Sequence, residues 1–243
     1  MKWQMALVLM LFSAVAQAQL LVATAANFAD TLRALAAMYQ QQGGVPVRLS
    51  VGSSGKLFAQ IRHGAPYDLF FSADLMRPQK LYQAGLASRP QPYALGELVL
   101  WQPQGPLPPR QRLLKQQFRY LSIANPHTAP YGRAARQVLV KLKLWPTVRT
   151  RVVRGENVGQ AFNYVRSGAA QLGFVARAQV VQIGQDDDAH RWLVPQSLYD
   201  PVVQAAVVIR RSRQQTAAQD FLAFVLHDPA ARHLIQQHGY RLP

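Results

Sequence analysis

Beyond residue 19, short apolar runs alternate with segments whose apolar residues recur every three or four positions. Runs of the first kind suit buried strands and segments of the second kind suit amphipathic helices; their alternation marks α/β architecture. Residues 20–25 read as a first strand. Residues 28–42 read as a helix with Phe28, Leu32, Leu35, Ala36 and Tyr39 on one face, closed by Gly43 and Gly44 as helix ends often are. A strand at 45–51 and a short helix at 57–62, stopped at Gly64, come next. Residues 68–72 place Leu69, Phe70 and Phe71 side by side, apolar on both faces as in a buried parallel strand. A strand at 96–101 leads into a proline-rich stretch at 103–109. A second series follows: strand 120–124, helix 131–143, strand 152–153, helix 158–167 and strand 172–175. Residues 202–209 form a long strand, and helices at 214–226 and 229–238 finish the chain, the last started by Asp228 as N-cap and Pro229 at the first helical position. The pattern predicts two lobes, one from 19–97 and 203–243 and the other from 98–202.

The first residues have a different character. Lys2 precedes an apolar run at 5–15, and Ala16-Gln17-Ala18 follows it. A cationic start, an apolar stretch and small residues before the cut are the features of a secretory signal peptide. Residues 1–18 are therefore expected to be a signal removed after Ala18, which would place the mature protein in the periplasm. The run is short for a membrane span, which takes about 20 residues. The chain has no cysteine, so packing alone must hold its core, and a hydrophobic content of 49% is ample for that.

Charge narrows the partners. The sequence carries 27 Lys and Arg against 11 Asp and Glu, a net charge of +16, and such a field favours anions. The basic residues are scattered rather than clustered with aromatics, which argues against nucleic acid. None of the 6 histidines sits in an i, i+4 pair or beside a carboxylate at metal-site spacing, so no bare metal ion is expected. Tyr120, Tyr131, Tyr164 and Tyr199 lack the acidic or histidine partners that ferric capture by phenolates would use. Ser53-Ser54-Gly55-Lys56 lacks the full phosphate-loop spacing, and no motif places a Ser-His-Asp set. Asp68 and Asp74 are expected to cap and anchor loops, and the acidic triplet 186–188 to be a solvated loop.

Several helices begin alike. Ala25-Ala26-Asn27, Gly52-Ser53-Ser54-Gly55, Ala129-Pro130-Tyr131-Gly132 and Glu156-Asn157-Val158-Gly159 each join small or polar residues to a helix start. A helix N-terminus exposes unpaired N–H groups and a partial positive charge, and small residues let an anion come close. Asn27 and Ser54 can add side-chain donors. Taken singly each turn also reads as an ordinary cap; two per lobe, facing across a cleft, would surround a tetrahedral ion. Lys56 and Arg133 directly follow two of the turns and are expected at the cleft rim, in water.

With these turns, and with Gly64-Ala65-Pro66-Tyr67-Asp68-Leu69-Phe70-Phe71-Ser72-Ala73-Asp74, Asn125-Pro126 and Leu172-Gly173-Phe174-Val175-Ala176, the chain resembles the periplasmic molybdate-binding proteins of ABC uptake systems across about residues 21–243. The resemblance implies a two-lobed periplasmic-binding-protein fold, two α/β lobes joined by crossover strands, with a dehydrated oxyanion in the cleft. It implies molybdate or tungstate as cargo with no cofactor, an inner-membrane ABC permease as partner, and a binding protein rather than an enzyme, expected as a monomer. Carried over by position, the donors are Asn27, Ser54 and the backbone N–H groups of Tyr131 and Val158. Ala26 stands where the family often has Ser or Thr, so only its backbone N–H is left to contribute. Ala176 stands where some members place a tyrosine hydroxyl, and the chain is more similar to the branch with Tyr131 in the other loop. Two other readings stay open: capture of another oxyanion such as sulfate or phosphate, and a secreted enzyme acting on an anionic substrate in the same cleft.

Overall fold

The computed structural model describes residues 19–243; the expected signal segment lies outside the described residues. The chain begins with β1 (Leu20–Ala25), α1 (Ala29–Gln41), β2 (Val47–Gly52), α2 (Ser54–Arg62), β3 (Leu69–Ser72), α3 (Met76–Gln83) and β4 (Gln91–Gly96). It passes through Glu97 into β5 (Leu98–Trp101), α4 (Pro109–Leu114), β6 (Leu121–Ala124), α5 (Pro130–Lys141), α6 (Trp145–Val148), β7 (Val152–Gly155), α7 (Val158–Arg166), β8 (Leu172–Ala176), α8 (Arg177–Val181) and β9 (Arg191–Leu193). It returns as β10 (Val202–Val208) and ends in α9 (Gln215–His227) and α10 (Pro229–Gln237).

Two five-stranded sheets result, ordered β2-β1-β3-β10-β4 and β7-β6-β8-β5-β9. Each joins a parallel trio to an antiparallel pair: β1 runs parallel to β2 and β3, and β6 parallel to β7 and β8. β10 and β5 run antiparallel to their neighbours. The strand ends after β1, β2, β6 and β7 thus carry the four helix-starting turns, and ligands of open α/β sheets bind outside such carboxyl ends. Two connections join the sheets, one at Glu97 and one between Leu193 and Val202.

The apolar pattern explains the layers. In β3, Phe71 packs with Phe28, Leu32, Leu35 and Phe221 on one face of the first sheet, and Phe70 with Leu57, Ile61 and Leu81 on the other. Successive strand residues point to opposite faces, so the double-sided apolar run at 69–71 needs helices on both. The second sheet has its own core, in which Trp101 stacks on Phe162 with ring centroids 4.7 Å apart. Gly43 and Gly64 take φ of +88° and +100° at helix ends, a region that costs a side chain dearly.

Some elements differ from the sequence reading. The strand expected at 96–101 is β5, starting at Leu98, and β4 before it was not expected; between them, at Glu97, the chain passes from one sheet to the other. The helix α3 and the strands β4 and β9 carry no clear period: α3 buries only Arg77, Pro78 and Leu81, and β4 is an edge strand containing Pro92. The acidic triplet is not simply solvated, since Asp186 pairs with Arg177 and Arg191 while Asp188 is fully exposed. Asp186 lies below the usual carboxylate range: burial pushes it up, but hydrogen bonds from Arg177 and Arg191 outweigh that.

One position ties helix placement to the sheet. A Cβ at Gly132 would lie 2.2 Å from the Ala124 carbonyl oxygen at the end of β6, so α5 can sit this close only with glycine there. Gly132→Ala should cost about 1–3 kcal/mol of stability by overpacking, read as a lowered midpoint in urea unfolding; an unchanged midpoint would show that α5 shifts freely.

Candidate functional site

The four turns meet at one place. Ala25, Ala26 and Asn27, Gly52 to Ser54, Ala129 to Tyr131, and Asn157 with Val158 line a small cavity between the sheets, together with Ala73. About 10 Å³ of it is open to the centre of a water-sized sphere, which is about the room of a single water. No charged side chain lines it. A wider groove of about 550 Å³ lies beside it, sharing Ala26 and Asn157 and reaching Asp30, Arg33, Glu156 and Arg166. That groove is open and of mixed charge, which suits an approach rather than a seat.

What the cavity offers is donors. The backbone N–H groups of Asn27, Ser54, Tyr131 and Val158 have no acceptor among the described residues; the last three lie in the first turn of their helices, where such groups are unpaired, and Asn27 precedes the N-cap of α1. Ser54 is fully buried and its Oγ accepts the Ala73 N–H at 2.9 Å, which leaves the hydroxyl proton free to donate. Asn157 caps α7 by accepting the Gln160 N–H at 2.9 Å, and Ser53 caps α2 by accepting from Lys56.

Two groups that were expected to be free have protein partners in this structure. Ala26 lines the cavity, but its N–H donates to the Gly52 carbonyl at 3.0 Å in the link between β1 and β2. Its Cβ lies 3.4 Å from where a Cβ on Gly159, across the cleft, would stand. The Asn27 side-chain nitrogen does not face the cavity as a free donor; it donates to Gln204 Oε1 at 2.7 Å and to the Tyr240 hydroxyl at 3.2 Å. The donor that Asn27 leaves free is its backbone N–H. Ala176 lies outside the lining, with its N–H on Gln179 Oε1 at 3.1 Å.

Behind the cavity sits a layer the sequence did not announce. Tyr93 and Tyr131 approach Gln204 of β10, and Tyr240 donates to the Asn27 carbonyl at 2.6 Å. Burial raises the Tyr93, Tyr131 and Tyr240 phenols above their ordinary range, so none adds negative charge beside the site. Asp68 and Asp74 are anchors. Asp68 accepts from Leu21 N–H at 2.7 Å and from the Ser212 hydroxyl at 2.6 Å, and Asp74 from Arg77. Among the described residues no group of three or more His, Cys, Asp or Glu side chains could hold a metal ion.

The lobes touch around the cavity. Gly55 N–H donates to the Thr128 carbonyl at 2.8 Å, Arg77 reaches the His127 carbonyl at 3.3 Å, and Lys56 pairs with Glu156 at 2.7 Å. Arg133 approaches Asp74 at 3.7 Å. Lys56 and Arg133 were expected in water; they are half-exposed and engage carboxylates across the cleft. The two sides of the cleft are thus in direct contact in this structure.

The model of the family described as bacterial extracellular solute-binding proteins matches residues 20–241. The chain belongs to this family. This solute-binding protein is 39% identical to the molybdate-binding protein ModA of Azotobacter vinelandii over 229 residues, 93% of this chain and 90% of that one. It is 36% identical to ModA of Rhodobacter capsulatus over 239 residues, 97% and 93% of the two chains. The solved periplasmic molybdate-binding protein of A. vinelandii superposes with a TM-score of 0.87 at 40% identity, covering 92% of this chain and 99% of that one. Both sheets and the two-lobed arrangement are thus those of the periplasmic-binding-protein fold, and the family is one of solute-binding proteins.

Closure depends on Gly55, where a Cβ would stand 2.8 Å from the Thr128 carbonyl oxygen of the opposite lobe. Gly55→Ala should hold the lobes apart. With molybdate in the buffer, small-angle scattering should give the variant a larger radius of gyration than the wild type at unchanged circular dichroism; superimposable scattering curves would contradict this.

Proposed function

We propose that this protein captures molybdate or tungstate in the periplasm and hands it to an ABC permease of the inner membrane. The observation that carries the reading is a cavity walled by unpaired N–H and O–H donors with no carboxylate on its lining. A fully deprotonated oxyanion only accepts hydrogen bonds, so a donor-only wall suits it, whereas a protonated phosphate also needs an acceptor. The molybdate-binding relatives at 39% and 36% identity support the same anion. The ion is cargo, and the chemistry needs no cofactor and no nucleic acid.

In this reading the ion receives the backbone N–H groups of Asn27, Ser54, Tyr131 and Val158 and the Ser54 hydroxyl, while Ala26 fits the wall to its size. The lobes, 19–97 with 203–243 and 98–202, turn about the two connections between the sheets. Ligand then shifts the population toward the closed form, a monomer whose closed surface the permease reads. The signal peptide, cut after Ala18, accounts for export.

Neutral donors should outweigh charge. A hydrogen bond to an ion is worth about 1.5–3 kcal/mol, so Ser54→Ala should weaken molybdate binding by roughly tenfold or more. Lys56 is half-exposed and already paired with Glu156; such pairs are worth about 0–1 kcal/mol, so Lys56→Gln should cost less than about fivefold. Calorimetric titration with molybdate, tungstate, sulfate and phosphate checks both points. Sulfate binding as tight as molybdate would overturn the choice of anion, and a larger loss for Lys56→Gln than for Ser54→Ala would overturn the mechanism.

A further inference from the structure

One buried polar atom near the cavity has no partner: among the described residues, Asn27 Oδ1 is a fully shielded acceptor without a hydrogen bond. Asn27 is 3% exposed and lines the cavity. A buried acceptor left unpaired is costly. Its cause is Gln204, itself fully buried on β10. Gln204 turns its Oε1 toward Asn27 and so takes up the Asn27 nitrogen at 2.7 Å. The same Oε1 lies 3.0 Å from the Tyr93 hydroxyl, and Gln204 Nε2 lies 3.5 Å from the Tyr131 hydroxyl.

A side-chain amide has a donor end and an acceptor end of almost the same shape. If both amides turn over together, Gln204 Nε2 donates to Asn27 Oδ1 and to Tyr93, and Gln204 Oε1 accepts the Tyr131 hydroxyl. Tyr93 keeps its proton for the Ser72 carbonyl, 3.2 Å away, and Tyr240 keeps its own on the Asn27 carbonyl at 2.6 Å. The orphan acceptor is then paired and the Asn27 nitrogen takes the place of the unpartnered oxygen; the turn gives up the 3.2 Å hydrogen bond from that nitrogen to the Tyr240 hydroxyl, and the new bonds to Gln204, Tyr93 and Tyr131 offset that loss. Turning Asn27 alone would set its oxygen against Gln204 Oε1, so the two amides are coupled.

Resting on the oxyanion reading above, we infer that Gln204 is a positioning residue that decides which end of the Asn27 amide meets the ligand. With a fully deprotonated anion bound, the turned pair presents the Asn27 nitrogen. The unturned pair presents an acceptor, which suits an anion that carries a proton. Gln204 thereby sets the preference between deprotonated and protonated oxyanions without touching either. It also links the site to the connection between the lobes, since a Cβ on Gly96, next to Glu97, would stand 2.1 Å from the Tyr131 hydroxyl and 2.8 Å from Gln204 Nε2.

The test compares sulfate with monohydrogen phosphate in mildly alkaline buffer, by calorimetric competition against molybdate. The two are dianions of similar size and differ by one proton, so any repulsion from a new charge acts on both alike. In the wild type sulfate should bind more tightly. Gln204→Glu, an acceptor-only carboxylate that holds the Asn27 nitrogen, should lower the preference for sulfate over hydrogen phosphate by about tenfold or more. Tyr131→Phe, which removes the hydroxyl that the turned Gln204 accepts, should lower it in the same direction. Gln204→Met, which dictates neither orientation, should weaken both anions and leave the preference within about threefold of the wild type. A preference unchanged in Gln204→Glu and in Tyr131→Phe, or one that Gln204→Met lowers as far as Gln204→Glu does, would overturn the inference. A wild type that fails to favour molybdate over sulfate would instead tell against the proposed function.

Discussion

Removing an ion from water is the constraint on which the rest of this structure depends. A doubly charged oxyanion in a dry cavity loses its hydration, a cost of tens of kcal/mol for an unpartnered ion, and each lost contact must be replaced by a donor already in place. Helix starts supply such donors without folding cost, because their N–H groups are unpaired anyway. Two β-α turns from each sheet bring four of them together with the Ser54 hydroxyl. Their convergence explains where glycine is required. Gly132 lets α5 press onto β6, and Gly55 lets α2 meet the Thr128 carbonyl of the opposite lobe.

The strong positive charge of the chain plays a different part. Cationic side chains around the cleft are engaged with carboxylates: Lys56 with Glu156, Arg77 and Arg133 with Asp74. These contacts cross the cleft or brace its wall and favour closure, while the lining itself stays neutral. The net charge of +16 acts over the distance at which salt screens, about 8–10 Å in physiological buffer, and so on the rate of encounter more than on the bound state. Attraction from afar and retention at contact are thus separate physical tasks given to different residues.

Much of this was legible in the sequence because it depends on local rules. The double-sided apolar run at 69–71 marked a buried strand, and Asp228-Pro229 marked the start of α10. The four turns stood out as small residues before helices, and each contributes residues to the cavity lining. What was not legible depends on partners distant in sequence. That the Ala26 N–H is spent on Gly52, and the Asn27 nitrogen on Gln204 and Tyr240, follows from pairings 26 and 177 or more residues apart. Gln204 lies within an otherwise apolar strand, VVQAAVV. A buried glutamine there was a signal that a polar layer lies behind the site, and only the fold shows which groups it serves. Strand β4 was hidden because it runs almost directly into β5 and carries Pro92.

The central claim is that backbone N–H groups at helix starts, not cationic side chains, hold the ion. Amide nitrogen–proton NMR spectra of the labelled protein, recorded with and without molybdate, test it directly. The amide protons of Asn27, Ser54, Tyr131 and Val158 should move to lower field and become protected from exchange, more than those of Lys56 and Arg133. If those four are unmoved while the guanidinium and ammonium signals of Arg133 and Lys56 shift, the ion is held by charge pairing and the account is wrong.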